Sequence, residues 1–112
     1  MLNHFNGFVF GYKLTRDQYE IMYNMIVEDG GDECDILDNT WEINNDTVFF
    51  GAELYMNTSD DKNELLDFTT LNMAMWGRHH HADRFIKVYR KYIHKVNEHI
   101  LPELYYINIT LI

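Results

Sequence analysis

The chain has 112 residues, 46% of them hydrophobic and 15% aromatic, and a formal net charge of −9 at pH 7. That length is enough for one domain with a core that needs no staples, and the apolar content excludes a disordered chain despite the charge. A single cysteine, Cys34, excludes an internal disulfide and fits a reducing compartment, so the expected location is the cytoplasm. No apolar run approaches membrane-spanning length, and the start Met1-Leu2-Asn3-His4-Phe5 lacks the basic and long apolar regions of a signal peptide.

In chain order, Phe5 to Leu14 reads as a strand, with Phe8, Phe10, Tyr12 and Leu14 alternating against Val9, Gly11 and Lys13. Thr15-Arg16-Asp17-Gln18 is a capping box that opens a helix, and Leu14 and Tyr19 stand where a hydrophobic staple would form. Tyr19, Met22, Tyr23 and Ile26 share one face of that helix, and Asp29-Gly30-Gly31 ends it. A weaker strand is expected over residues 34–43, carried by Cys34 and Ile36, then Trp41 and Ile43, with a bend at Asp38-Asn39. Asn44-Asn45-Asp46 has hairpin chemistry, because Asn and Asp tolerate positive φ.

Thr47 to Met56 is a second strong strand: Val48, Phe50, Ala52, Leu54 and Met56 share one face, and Phe49, Gly51, Glu53 and Tyr55 the other. Ser59-Asp60-Asp61 would cap a helix running to about Trp76, with a break at Gly77 and Arg78-His79-His80-His81. A further helix follows, with Phe85, Tyr89, Tyr92, Val96 and Ile100 inward and Lys87, Arg90, Lys91 and Lys95 outward, stopped by Pro102. Leu104 to Ile112 closes as a strand. The expected fold is therefore α+β: a single domain over residues 1–112, a two-layer ferredoxin-like sandwich of order β-α-β-β-α-β. Four antiparallel strands would carry two main helices on one face. Phe10-Gly11-Tyr12-Lys13-Leu14 and Phe50-Gly51-Ala52-Glu53-Leu54 share a pattern that suits two split halves.

The charge is unevenly placed. From Asp17 to Asp67 there are fifteen carboxylates against the single base Lys62, whereas Phe68 to Ile112 holds six bases against Asp83, Glu98 and Glu103. A nucleic-acid binder needs a basic footprint, so no direct nucleic-acid contact is expected; a basic protein partner, or head-to-tail self-association, suits this distribution. The order β-α-β-β-α-β puts the loop after the first helix and the loop after the third strand at the same end of the sheet. Asp29, Asp32, Glu33, Asp35 and Asp38 would then join Asp60, Asp61 and Glu64 in one acidic pole. Phe49 and Tyr55, on a sheet face left open beside Gly11 and Gly51, would be aromatic anchors for a partner or for a homodimer. Tyr106, Asn108 and Thr110 would extend that face, and Lys13 could pair with Glu53.

No catalytic motif is present. Cys34 sits among carboxylates that should raise its pKa, Ser59 is the only serine, and there is no phosphate-binding glycine loop. Asp29-Gly30-Gly31-Asp32-Glu33-Cys34-Asp35 offers oxygen ligands without EF-hand spacing. His79-His80-His81 reads as a solvated loop, with a His-dependent nuclease or metal-binding protein as the alternative; from an extended segment His79 and His81 could converge near Asp83. No cofactor is expected. Being short, acidic, aromatic-rich and without a catalytic motif, the chain is similar in type to phage-encoded inhibitors of host defence such as anti-CRISPR proteins. That similarity covers no specific motif. It implies a viral, non-enzymatic protein that inhibits or modulates a basic, nucleic-acid-handling partner by imitating nucleic-acid charge, in the cytoplasm of a host cell. Reversing the charges of Asp32, Glu33, Asp60 and Asp61 should then weaken binding and leave the fold intact.

Overall fold

The computed structural model describes residues 3–59 and 78–111. Within them the chain forms β1 (Asn3–Thr15), α1 (Arg16–Glu28), α2 (Glu33–Asp38), β2 (Thr40–Glu42), β3 (Thr47–Ser59), α3 (His79–Val96) and β4 (Glu103–Leu111). The strands make one four-stranded sheet in the order β2-β3-β1-β4, antiparallel at every neighbouring pair. No helix among the described residues is long and apolar enough to cross a membrane.

Local chemistry accounts for the first half. Thr15 Oγ1 accepts from Gln18 N at 3.1 Å while Gln18 Oε1 accepts from Thr15 N at 2.9 Å, so the predicted capping box is complete. Arg16 at the head of α1 reaches across to the β2–β3 turn, donating to the carbonyls of Asn45 (2.7 Å) and Asn44 (3.1 Å) and pairing with Glu42 at 3.5 Å. Gly30, with φ +90°, ends α1 in a backbone region that disfavours a side chain. The Asn44-Asn45-Asp46 turn forms as expected, but with Asn44 Oδ1 accepting from Asp46 N at 2.8 Å. No non-glycine residue among those described has positive φ, so this side-chain turn replaces the positive-φ mechanism.

The core lies between the helices and one face of the sheet. Tyr12, Leu14, Phe50 and Ala52 from the strands meet Met22 and Ile26 of α1, Ile36 of α2, and Ala82, Phe85, Ile86, Tyr92 and Ile93 of α3. Phe50 is its aromatic hub, 4.8 Å from the ring of Phe85 and 4.9 Å from that of Tyr89. Tyr12 is buried, and its Oη makes no hydrogen bond. Burial pushes its pKa up, and the Arg90 guanidinium partly offsets this.

Several expectations are corrected. Residues 33–38 are helical, not extended: Asp32 accepts from Cys34 N at 2.8 Å and opens α2, and the strand that follows is only Thr40–Glu42. The three histidines 79–81 form the first turn of α3, where successive side chains diverge, so the extended geometry that would bring His79 and His81 together is absent. α3 ends at Val96, before Pro102, so neither Ile100 nor Glu98 is part of it. Ile100 still packs against the core from the segment that follows. The expected helix from Ser59 to Trp76 and the break at Gly77 lie outside the described residues, apart from Ser59, the final residue of β3.

The second sheet face also differs from expectation. Phe49 and Val9 are fully buried there, and Ile107 nearly so, packed by Trp41, Ile43 and Tyr105. Gly11 lies opposite Gly51, and the Phe49 ring lies over Gly51, where a Cβ would stand 2.6 Å from it. The ring also stacks on Tyr105 at 5.1 Å. The paired glycines thus form a trough that the protein's own Phe49 fills. Lys13 stands opposite Phe49 and places Nζ 5.7 Å from the Tyr105 ring, so it does not pair with Glu53, whose register partner is Val9. Tyr105 and Ile107 share this face; Tyr106 instead tilts against Phe8 at 5.2 Å.

Candidate functional site

The acidic segment from Glu28 to Asp38 is built by two helix ends and one buried side chain. After α1, the N–H groups of Asp29, Gly30 and Gly31 donate to the carbonyls of Met25 (3.1 Å), Val27 (3.0 Å) and Ile26 (2.9 Å). A Cβ on Gly31 would stand 2.4 Å from Ile26 Cγ2, so glycine is required for the chain to turn back here. Ile36, fully buried, then pins the six-residue α2 to the core. Thr40 Oγ1 donates to the Ile36 carbonyl at 2.7 Å and meets the Tyr19 hydroxyl at 2.8 Å, while Gly51 N donates to the Asn39 carbonyl at 2.9 Å.

With Ile36 inward, the rest of α2 faces out. Glu28, Asp29, Asp32, Glu33, Asp35 and Asp38 are all exposed, and so is Leu37 among them, at 57%. Three of the six acids have internal work as acceptors: Asp29 Oδ2 takes the Tyr92 hydroxyl at 2.9 Å, Glu33 takes that of Tyr23, and Asp32 takes the Cys34 N–H at 2.8 Å. Asp32 is committed to the α2 cap. Among the described residues Glu28, Asp35 and Asp38 make no side-chain hydrogen bond, and none of the six carboxylates pairs with a lysine or arginine. Glu28 and Asp29 also sit at the negative end of the α1 dipole, whose last turn holds no base. Among the described residues no base compensates this charge.

Neighbouring groups register this negative field. The charge of Asp32, then partial burial, the hydrogen bond to Asp32 and the charges of Asp38 and Asp35 hold the exposed Cys34 thiol above its ordinary pKa. The hydrogen bond to Glu33, followed by burial and the Glu33 charge, pushes the Tyr23 hydroxyl up to about 12. A group raised on folding stabilises the protein below its unfolded pKa, so the Tyr23–Glu33 contribution is present below about pH 10 and is lost as pH rises towards 12. Burial and the Asp35 charge raise Tyr89 as well. The expectation that carboxylates would dull Cys34 agrees with this geometry. Replacing Asp32 and Asp35 by Asn keeps the cap but removes two charges. The variant's Cys34 should be alkylated several-fold faster by iodoacetamide at pH 8, because the thiolate fraction rises. A rate–pH profile that coincides with wild type would show that these acids do not act on the thiol.

Of the other predicted site residues, Phe49 is corrected: it is fully buried and unavailable as a surface anchor. Tyr55 is half-buried, opposite Phe8. Asp60, Asp61 and Glu64 lie outside the described residues. The strand leading toward them ends at Ser59, nine residues past Phe50, the residue level with Thr40. At about 3.3 Å per residue that is roughly 30 Å along the sheet. Leu37 was missed, although its place between Asp35 and Asp38 in a segment capped by Asp32 was a readable signal.

Other chemistry is sparse. No group of three or more His, Cys, Asp or Glu residues among those described is placed to hold a metal ion. His79, His80 and His81 are exposed, and beyond the end of α3 Glu98 lies 3.8 Å from His99. The cleft lined by Trp41, Glu42, Ile43, Tyr105, Ile107 and Asn108 holds about 70 Å³, room for a couple of waters and well below the few hundred Å³ of a small-molecule site. No family model matches the chain, and no curated protein or solved structure matches it. The functional reading therefore rests on the residues themselves.

Proposed function

We propose that this protein is a non-enzymatic binding module whose acidic α1–α2 segment docks on a basic surface of a partner protein. The observation that carries the reading is a combination: six exposed carboxylates that have no basic partner among the described residues, on a segment anchored to the core by Ile36, with Leu37 exposed in their midst. Rigid presentation lowers the ordering cost of association, uncompensated charge steers a cationic partner, and a central apolar side chain supplies contact that salt does not screen. The finer reading is an inhibitor or modulator of a nucleic-acid-handling protein, of the type phages encode against host defence and acting in a host cytoplasm. It rests on the resemblance in type given above. We also read the fold as a ferredoxin-like sandwich with α2 as an extra turn. The support is the outer position of β2 and β4 around the antiparallel β3–β1 pair, with α1 and α3 packed on the same face.

The test follows from which acids are free. Reversal at Asp32 and Glu33 would also remove a helix cap and a tyrosine contact, so the informative variant is Glu28→Lys, Asp35→Lys, Asp38→Lys. Its melting temperature should move by only a few degrees, since bases near the ends of α1 and α2 suit the helix dipoles and offset the first-turn charge of α2 given up at Asp35. Its affinity for an arginine-rich peptide, measured by fluorescence anisotropy at low salt, should fall at least about tenfold, and wild-type affinity should fall with added salt. Equal binding by the folded triple variant would refute the docking role of this segment.

A further inference from the structure

We propose that the outer edge of β4 is a self-association site, at which a second copy of this chain pairs antiparallel to β4 and continues the four-stranded sheet into one of eight. The inference does not depend on the acidic segment.

The direction of the backbone groups decides which edge is open. Gly51 N donates to the Asn39 carbonyl, so Gly51 turns its N–H and C=O toward β2 and away from β1. Its register partner Gly11 then turns its own groups the other way, toward β4, where it faces Glu103. Alternation along β4 aims Glu103, Tyr105 and Ile107 at β1, and Leu104, Tyr106, Asn108 and Thr110 outward. β4 is the last strand of the sheet, and no described residue pairs with those outward groups.

Natural edge strands are blunted by shortness, charge, proline or bulges. β4 has none of these from Leu104 onward: it spans nine residues from Glu103 to Leu111, its register with β1 is unbroken, and the run Leu-Tyr-Tyr-Ile-Asn-Ile-Thr-Leu is free of charge and proline. Leu101, Leu104 and Tyr106 beside it are 73%, 50% and 46% exposed. The occupant follows from charge. Residues 1–67 carry −12 and residues 68–112 carry +3, so two copies repel wherever their acidic parts meet. The uncharged β4 edge lets two copies approach with no like charges opposed, and an antiparallel strand is complementary to itself under a two-fold axis. On the sheet face the place beside Gly51 is already filled by Phe49. An edge roughly 30 Å long and one strand thick buries only a few hundred Å² per copy, at the small end for specific association, so the dimer should be weak.

Light scattering coupled to size exclusion, with sedimentation over loadings from micromolar to about millimolar, should show a monomer–dimer equilibrium. Added salt should strengthen it, because the remaining charges repel. Asn108→Pro removes one outward N–H and no bond to β1, a substitution that edge strands tolerate. Leu104→Lys introduces a charge at the same edge. Each should raise the dimer dissociation constant at least tenfold while keeping the wild-type circular dichroism. Amide hydrogen exchange covers the case in which a variant is destabilised: in wild type, the N–H groups of Tyr106 and Asn108 should slow as concentration rises, while that of Ile107 should not. A monomer at every concentration, a dimer that salt dissolves, or exchange at Tyr106 and Asn108 independent of concentration would overturn the proposal.

Discussion

Gly11→Ala should destabilise the protein by about 3–5 kcal/mol, a large share of the roughly 5–15 kcal/mol available to a domain. A Cβ at Gly11 would lie 2.2 Å from the Phe50 carbonyl oxygen and 2.4 Å from Gly51 Cα, both backbone atoms of the neighbouring central strand. No rotamer change can relieve such a clash; β1 and β3 must separate, and they are the strands that hold the core. Gly30→Ala is the matched control. Gly30 has open space around its missing side chain but a φ of +90°, so its cost is the left-handed backbone alone, about 1–2 kcal/mol. Urea denaturation of the two variants beside wild type gives both numbers. Equal midpoints for the two would mean that the close approach of β1 and β3 carries no energetic weight.

Phe49→Ala is the second large effect, at about 3–5 kcal/mol. The Phe49 ring is fully buried, lies over Gly51 and stacks on Tyr105, so truncation opens the glycine trough and strips the partner of its stacking face. Phe49→Leu, which refills part of the space, should recover more than half of the loss. The measurement separates two roles for one residue. A surface anchor for a partner would show near-normal stability and lost binding; a core residue shows the reverse. Near-wild-type stability of Phe49→Ala would return this aromatic to the list of docking groups.

The sequence carries local signals well and relative placement poorly. The capping box at Thr15–Gln18, the glycine stop after Asp29, the alternation of β3 and the apolar stripe of α3 are each written within a few residues, and each was readable. α2 was misread because alternation between Cys34 and Ile36 is only two points. The competing signal, Asp32 as a cap with Glu33 and Asp35 in the first turn, identifies the helix that forms. β4 was placed correctly along the chain, but alternation alone does not say which of Tyr105 and Tyr106 shares a face with Phe49; that depends on register with β1. Gly11 and Gly51 suggested an exposed groove, since a sequence does not show that a neighbouring ring will lie in it. The acids of the candidate site were legible as composition. Their rigid display was not, because it depends on Ile36 reaching a core assembled from four other elements.

β1 makes its two sets of partners at very different separations along the polypeptide. Against β4 it sets Asn3 opposite Leu111 and Gly11 opposite Glu103, so nearly the whole length of the chain lies between paired residues. Such high contact order makes loop closure the slow step, and refolding should fall in the millisecond-to-second range typical of sheet-dominated domains. During synthesis on the ribosome, β1 must wait with one flank bare until β4 has emerged. Over that interval the unfinished sheet is most open to capture by chaperones or by other nascent chains.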